Sequence, residues 1–103
     1  MASTTLTVTV YGGVTPQDIN VTFFKNGTEI PTNGFASTQS FEKTYDNLDN
    51  GLYDIYISGL NPLSPGSSTK FELSTNEVTI HPPDDTPTIK TGKMYLVQFS
   101  FSV

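Results

Sequence analysis

Few side chains in this chain of 103 residues could carry out covalent chemistry. The absence of cysteine excludes thiol catalysis, disulfides and cysteine-based zinc sites. The single histidine, His81, comes directly before Pro82-Pro83, at the end of a predicted strand. Nucleophilic catalysis with a histidine base needs partner groups within hydrogen-bond reach, and no motif around His81 supplies them. Half of the ten acidic residues fall in predicted turns or loops, where such side chains cap backbone groups. We therefore predict that the protein is not an enzyme and that His81 lies at the solvent edge.

Acidic side chains also suggest a metal site. Asp46 and Asp49 flank the turn at the centre of the chain, and Asp84 and Asp85 are adjacent in a later loop. Calcium takes oxygen ligands from loops of this composition. However, the spacing is not that of an EF-hand loop, and turn formation alone accounts for the same residues. The sequence thus predicts no required cofactor, with calcium at these four carboxylates as the metal alternative.

Aromatic side chains form the third group of candidates. Phe24 and Tyr56 take the outward parity of their predicted strands, while Tyr11 and Phe35 flank predicted loops. The C–H faces of sugars stack on aromatic rings, and sugar hydroxyls seek neighbouring polar groups. These four residues are therefore the predicted ligand-binding residues, for a glycan or a protein. Packing on the face of a sheet is the alternative explanation for outward rings.

Alternating apolar residues predict the strands that must position these side chains. The segment Phe41–Gly59 has this period of two on both sides of Asn50-Gly51, so it predicts a β-hairpin around which the other strands are arranged. Asn26-Gly27 predicts a second hairpin. Further strands are predicted at residues 5–10, 19–25, 28–30, 69–74, 77–80 and 93–103. Residues 12–18, 60–68 and 82–91 are predicted loops, and residues 35–39 fit either a loop or a strand.

The pattern as a whole predicts one all-β domain over residues 1–103. No window free of Gly or Pro has the apolar spacing of a helix, and turn signals recur every ~8–12 residues. We expect a two-sheet antiparallel β-sandwich of seven to eight strands, Ig-like or transthyretin-like. The predicted inward-facing residues are Leu6, Val8, Val10, Ile19, Val21, Phe23, Phe41, Tyr45, Leu48, Tyr53, Ile55, Ile57, Phe71, Leu73, Val78, Ile80, Val97, Phe99 and Phe101.

The charge of the chain narrows the classes of partner. The formal net charge is −5, and there is no arginine. We therefore expect neither nucleic acid nor an anionic membrane surface as a partner, since binding to both requires clustered cationic side chains. No apolar run approaches the ~18 residues of a spanning helix. The first ten residues lack the pattern of a signal peptide, so we expect none in this chain.

The segment Leu48-x-x-Gly51-x-Tyr53-x-Ile55-x-Ile57 resembles transthyretin-like (prealbumin-like) sandwich modules. These include the carboxypeptidase regulatory-like domain and the B-type repeats of bacterial collagen adhesins. In those families a leucine, a turn glycine and a tyrosine begin the strand that anchors the core. The usual Gly-x-Phe strand before the leucine is absent, because Lys43 and Tyr45 occupy that region. Some adhesin relatives form a Lys–Asn isopeptide bond; the first predicted strand has no Lys and the last has no Asn, so we expect none here.

These observations predict a non-enzymatic binding or structural module of a surface, secreted or particle-associated assembly. We expect it outside the cell or at the cell surface, as part of a larger protein, with a protein or glycan ligand. A small lectin-like, carbohydrate-binding domain is one alternative. The other is a viral or phage decoration or fibre domain that forms homo-oligomers, because the long final strand could pair with a second copy through its edge.

Overall fold

The computed structural model describes residues 2–12, 18–62, 66–81 and 86–103. This part of the chain folds into two antiparallel sheets and contains one 3₁₀ turn at Pro31–Asn33 but no α-helix. The predicted all-β sandwich is therefore confirmed. No helix within the described residues is long and apolar enough to cross a membrane. In chain order, the strands are β1 (Ser3–Tyr11), β2 (Ile19–Lys25), β3 (Thr28–Glu29), β4 (Phe35–Ser37), β5 (Phe41–Tyr45), β6 (Leu52–Leu60), β7 (Ser68–Asn76), β8 (Thr79–Ile80), β9 (Thr88–Lys90) and β10 (Met94–Ser102).

The two sheets differ in size. The four-stranded sheet has the order β5-β1-β7-β9, with β1 paired along its whole length to β7. The six-stranded sheet has the order β3-β2-β6-β10-β8, with β4 also paired to β2. Strands β2, β6 and β10 form its centre, and β6 pairs with β10 from Leu52 to Leu60. These three long strands form the continuous surface on which the candidate site lies.

The core lies between the sheets and is rich in aromatic side chains. Phe23 contacts Tyr45 and Tyr53, at ring centroid distances of 4.6 and 5.6 Å, and Tyr53 stacks on Phe101 at 5.1 Å. Every residue that the sequence predicts to face inward is either buried or packed against this core. Burying a large apolar side chain contributes about 1.5–3 kcal/mol, so this row of contacts is what holds the two sheets together.

The hairpin predicted for Phe41–Gly59 is wrong. Its first half, β5, pairs with β1 in the four-stranded sheet, whereas its second half, β6, pairs with β2 and β10 in the six-stranded sheet. The chain therefore crosses between sheets here, and the residue with positive φ is Asn47 (φ 55°) rather than Gly51. A corner and a hairpin both require turn residues between two alternating segments, so the local pattern does not distinguish them.

Hydrogen bonds explain why the chain forms a corner at this point. The Tyr53 hydroxyl donates to the carbonyl of Asp49 at 2.7 Å. This is the geometry of the tyrosine corner found in immunoglobulin-type sandwiches, where a strand enters its sheet. Gly51 exchanges two backbone hydrogen bonds with Val103, and the Leu48 amide donates to the carbonyl of Ala2. The corner is thus attached to the residue before β1 and to the residue after β10.

The described residues form ten strands instead of seven to eight, because short edge strands add to the predicted set. Strand β9 lies inside a predicted loop, and β4 lies in the segment that the sequence left open. Strands of two or three residues are too short to show an alternating pattern, so only pairing with a neighbour defines them. The Asn26-Gly27 hairpin is confirmed: both residues have positive φ, and β2 pairs with β3 across them.

One end of the sandwich is held by a buried amide. Asn61, only 1% exposed, donates from its side chain to the carbonyls of Gly92 and Lys90 and accepts a hydrogen bond from the Thr69 hydroxyl. It therefore ties the end of β6 to β7 and to the β9–β10 connection. Close by, the phenol of Tyr95 lies against Gly59, its partner across β6 and β10.

Candidate binding site on the six-stranded sheet

Three neighbouring strands bring a set of alternate residues together on the outer face of the six-stranded sheet. On β2, Thr22 lies opposite Tyr56, and Phe24 lies opposite Asp54. On the other side of β6, Gln98 and Ser100 of β10 lie opposite the same two residues. Side chains alternate between the faces of a strand, so all of these point away from the core. We call Phe24, Asp54, Tyr56, Gln98 and Ser100 the outer patch.

The aromatic half of the outer patch is an edge-to-face pair. The rings of Phe24 and Tyr56 are 5.5 Å apart between centroids and are inclined at 83°. Both side chains are half-buried. A depression of about 450 Å³ lies over them and is lined by Thr22, Phe24, Gly27, Asp54 and Tyr56. Gly27 lies at an open side of the depression, where a Cβ would have no atom within 4 Å.

The polar half of the outer patch is a hydrogen-bonded triad. The Ser100 hydroxyl donates to Oδ1 of Asp54 at 2.5 Å, and the Gln98 amide donates to the same oxygen at 3.2 Å. Gln98 Nε2 also lies 3.2 Å from the Ser100 hydroxyl. These contacts fix the carboxylate on the sheet and direct three polar groups to one point beside the aromatic pair.

The outer patch carries negative but no positive charge among the described residues. Asp54 is its only carboxylate, and the nearest lysine along β2, Lys25, has the opposite parity. The Lys25 ammonium lies 5.8 Å from the ring centroid of Tyr53 and 3.9 Å from the carboxylate of Asp49. It is therefore engaged on the other side of the sheet. Neutral or cationic ligands fit this electrostatic environment better than anions do.

The structure unites only two of the four predicted ligand-binding aromatics, Phe24 and Tyr56. Tyr11 ends β1 in the other sheet and is 45% exposed. Phe35 lies opposite Val21 and therefore faces inward, where it packs edge-to-face on Phe41 at 4.7 Å. Phe35 belongs to the rim of the core and is not available on the outer surface.

The predicted calcium ligands do not form a cluster where they are described. Asp46 and Asp49 are exposed, and Asp49 is paired with Lys25. Within residues 2–12, 18–62, 66–81 and 86–103, no three acidic or histidine side chains come together as a metal site. Asp84 and Asp85 lie outside the described residues. Calcium binding stays a prediction.

Sequence reasoning missed the polar residues of the outer patch and one further contact. Gln98 and Ser100 share outward parity in the final strand, but only the register of β10 against β6 places them beside Asp54. Likewise, the pairing of β8 with β10 brings a ring nitrogen of His81 to 2.8 Å from the Ser102 hydroxyl. This hydrogen bond also depends on the pairing of two strands and has no local motif in the sequence.

A second depression, of about 470 Å³, lies at the edge where β2 meets β4. Its lining residues are Asp18, Asn20, Ala36, Ser37, Thr38 and Gln39. None of them is aromatic, so this depression offers no stacking surface. It is therefore a suitable comparison site for the outer patch.

Comparison with protein-family models, with curated proteins and with solved structures found no match to this chain.

Proposed function

We propose that the protein is a non-enzymatic binding module whose ligand site is the outer patch. The observation that carries this proposal is the juxtaposition of a perpendicular aromatic pair and a hydrogen-bonded Asp54–Gln98–Ser100 triad on three adjacent strands. Binding sites of proteins combine such apolar surfaces with a few convergent polar groups. The strands β2, β6 and β10 hold these groups in place before a ligand arrives, which lowers the entropic cost of binding.

The wider setting is part of the same proposal. A tyrosine corner and the Leu48–Ile57 segment support an Ig-like or transthyretin-like subfamily, and such modules are display frames for ligand-binding surfaces. We place the protein outside the cell or at the cell surface, as one module of a larger protein. The high net negative charge and the lack of a cationic cluster favour a protein or glycan ligand over nucleic acid.

An array that displays both glycans and peptides tests this proposal. Wild-type protein should bind a defined subset of the array, and Tyr56→Ala should abolish that binding. Tyr11→Ala is the matched control, because it removes an exposed tyrosine from the opposite sheet. Loss of binding in both variants, or in neither, would refute the assignment of function to the outer patch.

A second candidate function is assembly with further copies through the edge of β10. In the described residues, β8 pairs with β10 only at Phe101 and Ser102, and the His81 amide donates to the carbonyl of Ser100. The N–H and C=O groups of every second residue point to the same side of an antiparallel strand. Those of Leu96 and Gln98 therefore point to the side of β10 on which β8 lies, as those of Ser100 do. Leu96 is also 66% exposed.

An edge that has no backbone partner among the described residues and carries apolar side chains can pair with a strand of a second chain. This arrangement supports the decoration or fibre alternative, with a second copy as the occupant. Size-exclusion chromatography with light scattering should then show a dimer or larger species, and Leu96→Lys should convert it to a monomer. A monomer at all concentrations for the wild-type protein would eliminate this candidate.

A further inference from the structure

We infer that the ligand of the outer patch is a neutral saccharide, with one sugar ring against Phe24 and Tyr56 and its hydroxyls on Asp54, Gln98 and Ser100. This inference rests on the proposed function and adds the chemical class of the ligand. It follows from three properties of the patch: its aromatic surface, its set of hydrogen-bonding groups and its charge.

The aromatic surface suits a ring with apolar C–H faces. Two rings inclined at 83° form an apolar corner, and the depression above them is about 450 Å³. That volume lies within the ~300–1,000 Å³ range of small-molecule sites. A pyranose has two faces of C–H groups and a rim of hydroxyls, so it can cover the aromatic corner while its rim stays at the edge.

The polar triad matches the rim of such a ring. A carboxylate accepts hydrogen bonds only, a primary amide both donates and accepts, and a hydroxyl does both. Asp54, Gln98 and Ser100 provide one of each within a single hydrogen-bonded cluster. Hydrogen bonds to an ionised group are stronger than neutral ones, so Asp54 would be the main anchor for sugar hydroxyls.

Charge separates neutral saccharides from the other ligands that aromatic rings attract. Sulfated or sialylated glycans would place a negative charge near Asp54, and no lysine of the described residues lies on this face to balance it. A quaternary ammonium ligand could use the rings and Asp54, as in cation–π sites, but it would leave Gln98 and Ser100 without a function. The complete set of groups is used only by a neutral, hydroxyl-rich ligand.

The depression is open to solvent and does not enclose a ligand, so the affinity for a single sugar ring should be low. We expect a dissociation constant on the order of 1 mM for a monosaccharide-sized ligand. Oligosaccharides that contact several rings, or several copies of the module on one particle, would bind more tightly through multivalency.

A titration followed by ¹H–¹⁵N NMR tests this inference on the full chain. The probes are neutral gluco-, galacto-, manno-, xylo- and N-acetylglucosamine oligosaccharides, a sulfated oligosaccharide and choline. At least one neutral oligosaccharide should give saturable shifts at the amides of Thr22, Phe24, Tyr56 and Gln98. The second depression, around Ala36 and Ser37, should give none.

Substitutions then assign the chemistry. Tyr56→Ala and Gln98→Ala should each weaken binding of the neutral saccharide by about tenfold or more, and the isosteric Asp54→Asn by a similar factor. Tyr11→Ala should have no effect. The spectra of the free variants show whether each remains folded. For an ammonium ligand, by contrast, Asp54→Asn would abolish binding and Gln98→Ala would leave it unchanged.

The outcomes separate this inference from the proposed function. If only choline, the sulfated oligosaccharide or an arrayed peptide binds in a Tyr56-dependent manner, the saccharide is wrong and the binding module stands. If a saccharide binds but shifts the second depression instead, the assigned site is wrong. If no probe and no arrayed ligand depends on Tyr56, both the inference and the proposed function fail.

Discussion

Replacing Gly59 by alanine should destabilise the sandwich because the space for a side chain there is already filled. A Cβ on Gly59 would lie 2.6 Å from the Tyr95 hydroxyl and 2.7 Å from the backbone carbonyl of Asp18. Tyr95 is 7% exposed and cannot rotate into solvent, and the carbonyl belongs to the backbone. Overpacking a core costs about 1–3 kcal/mol, and two such contacts favour the upper half of that range.

Chemical denaturation at neutral pH measures this cost directly. In thermal denaturation of a domain of this size, a loss of about 2–3 kcal/mol in the free energy of unfolding corresponds to a decrease in Tm of about 10–20 °C. Ser58→Ala is the matched control, since Ser58 is exposed on the same strand and its loss should change the free energy of unfolding by less than about 0.5 kcal/mol.

A second substitution isolates the contact with the phenol. The Tyr95 hydroxyl is buried and has no hydrogen-bond partner within the described residues. Burial raises the pKa of Tyr95, and the neighbouring Thr69 hydroxyl opposes part of that rise. Tyr95→Phe alone should therefore be neutral or stabilising. In the Gly59→Ala background it should recover about 1 kcal/mol, as a coupling between contacting residues. Additive effects, or a Gly59→Ala variant as stable as the wild type, would refute the packing described for this pair.

Three further perturbations test other parts of the structure. Burial raises the pKa of Tyr45 to about 12, so between about pH 10 and 12 this phenol ionises in the unfolded chain but not in the folded one, and the free energy of unfolding should fall by on the order of 2 kcal/mol. The Tyr45→Phe variant should show less of this loss in denaturation curves measured across that range. Asn61→Ala should cost about 1–3 kcal/mol in chemical denaturation, because it leaves the buried Thr69 hydroxyl and the carbonyls of Lys90 and Gly92 without their amide partner. An Asn61→Asp variant that retained full stability would contradict the amide's role as donor. Asp49→Asn removes only an exposed ion pair with Lys25, so thermal melting should shift by no more than about 2 °C, and a calorimetric titration of the same variant with calcium tests whether Asp49 binds this metal.

The all-β class and the core could be predicted because each long strand carries its own evidence. In β10, Tyr95, Val97, Phe99 and Phe101 alternate with exposed or half-exposed residues, and the structure buries all four. Such alternation depends on the local geometry of one strand, so it is visible without knowledge of the partner strand. The same holds for Asn26-Gly27, whose positive φ values are a local requirement of the turn.

Connections between sheets could not be predicted in the same way. The residues between Tyr45 and Leu52 satisfy the rules of a hairpin turn, yet the Tyr53 hydroxyl, the C-terminal Val103 and the carbonyl of Ala2 hold them as a corner. These partners are distant in sequence or lie on side chains with no turn signature. Long-range pairing, and not local preference, decided the topology here.

The candidate site shows the same division. Parity predicted that Phe24 and Tyr56 face outward. Phe35 was a candidate because it flanks a predicted loop, and only its pairing with Val21 shows that it faces inward. Gln98 and Ser100 had no local signal at all, because polar residues are common on the outer face of any sheet. Only the register between strands shows that they converge on Asp54 beside the aromatic pair.

The dissociation constant of the tightest neutral oligosaccharide, measured by calorimetry for Tyr56→Ala and Tyr11→Ala side by side, tests the role of the outer patch most directly. A loss of about tenfold or more in Tyr56→Ala, with Tyr11→Ala equal to the wild type, is the predicted result. Equal affinity in both variants would show that the outer patch is not the binding site.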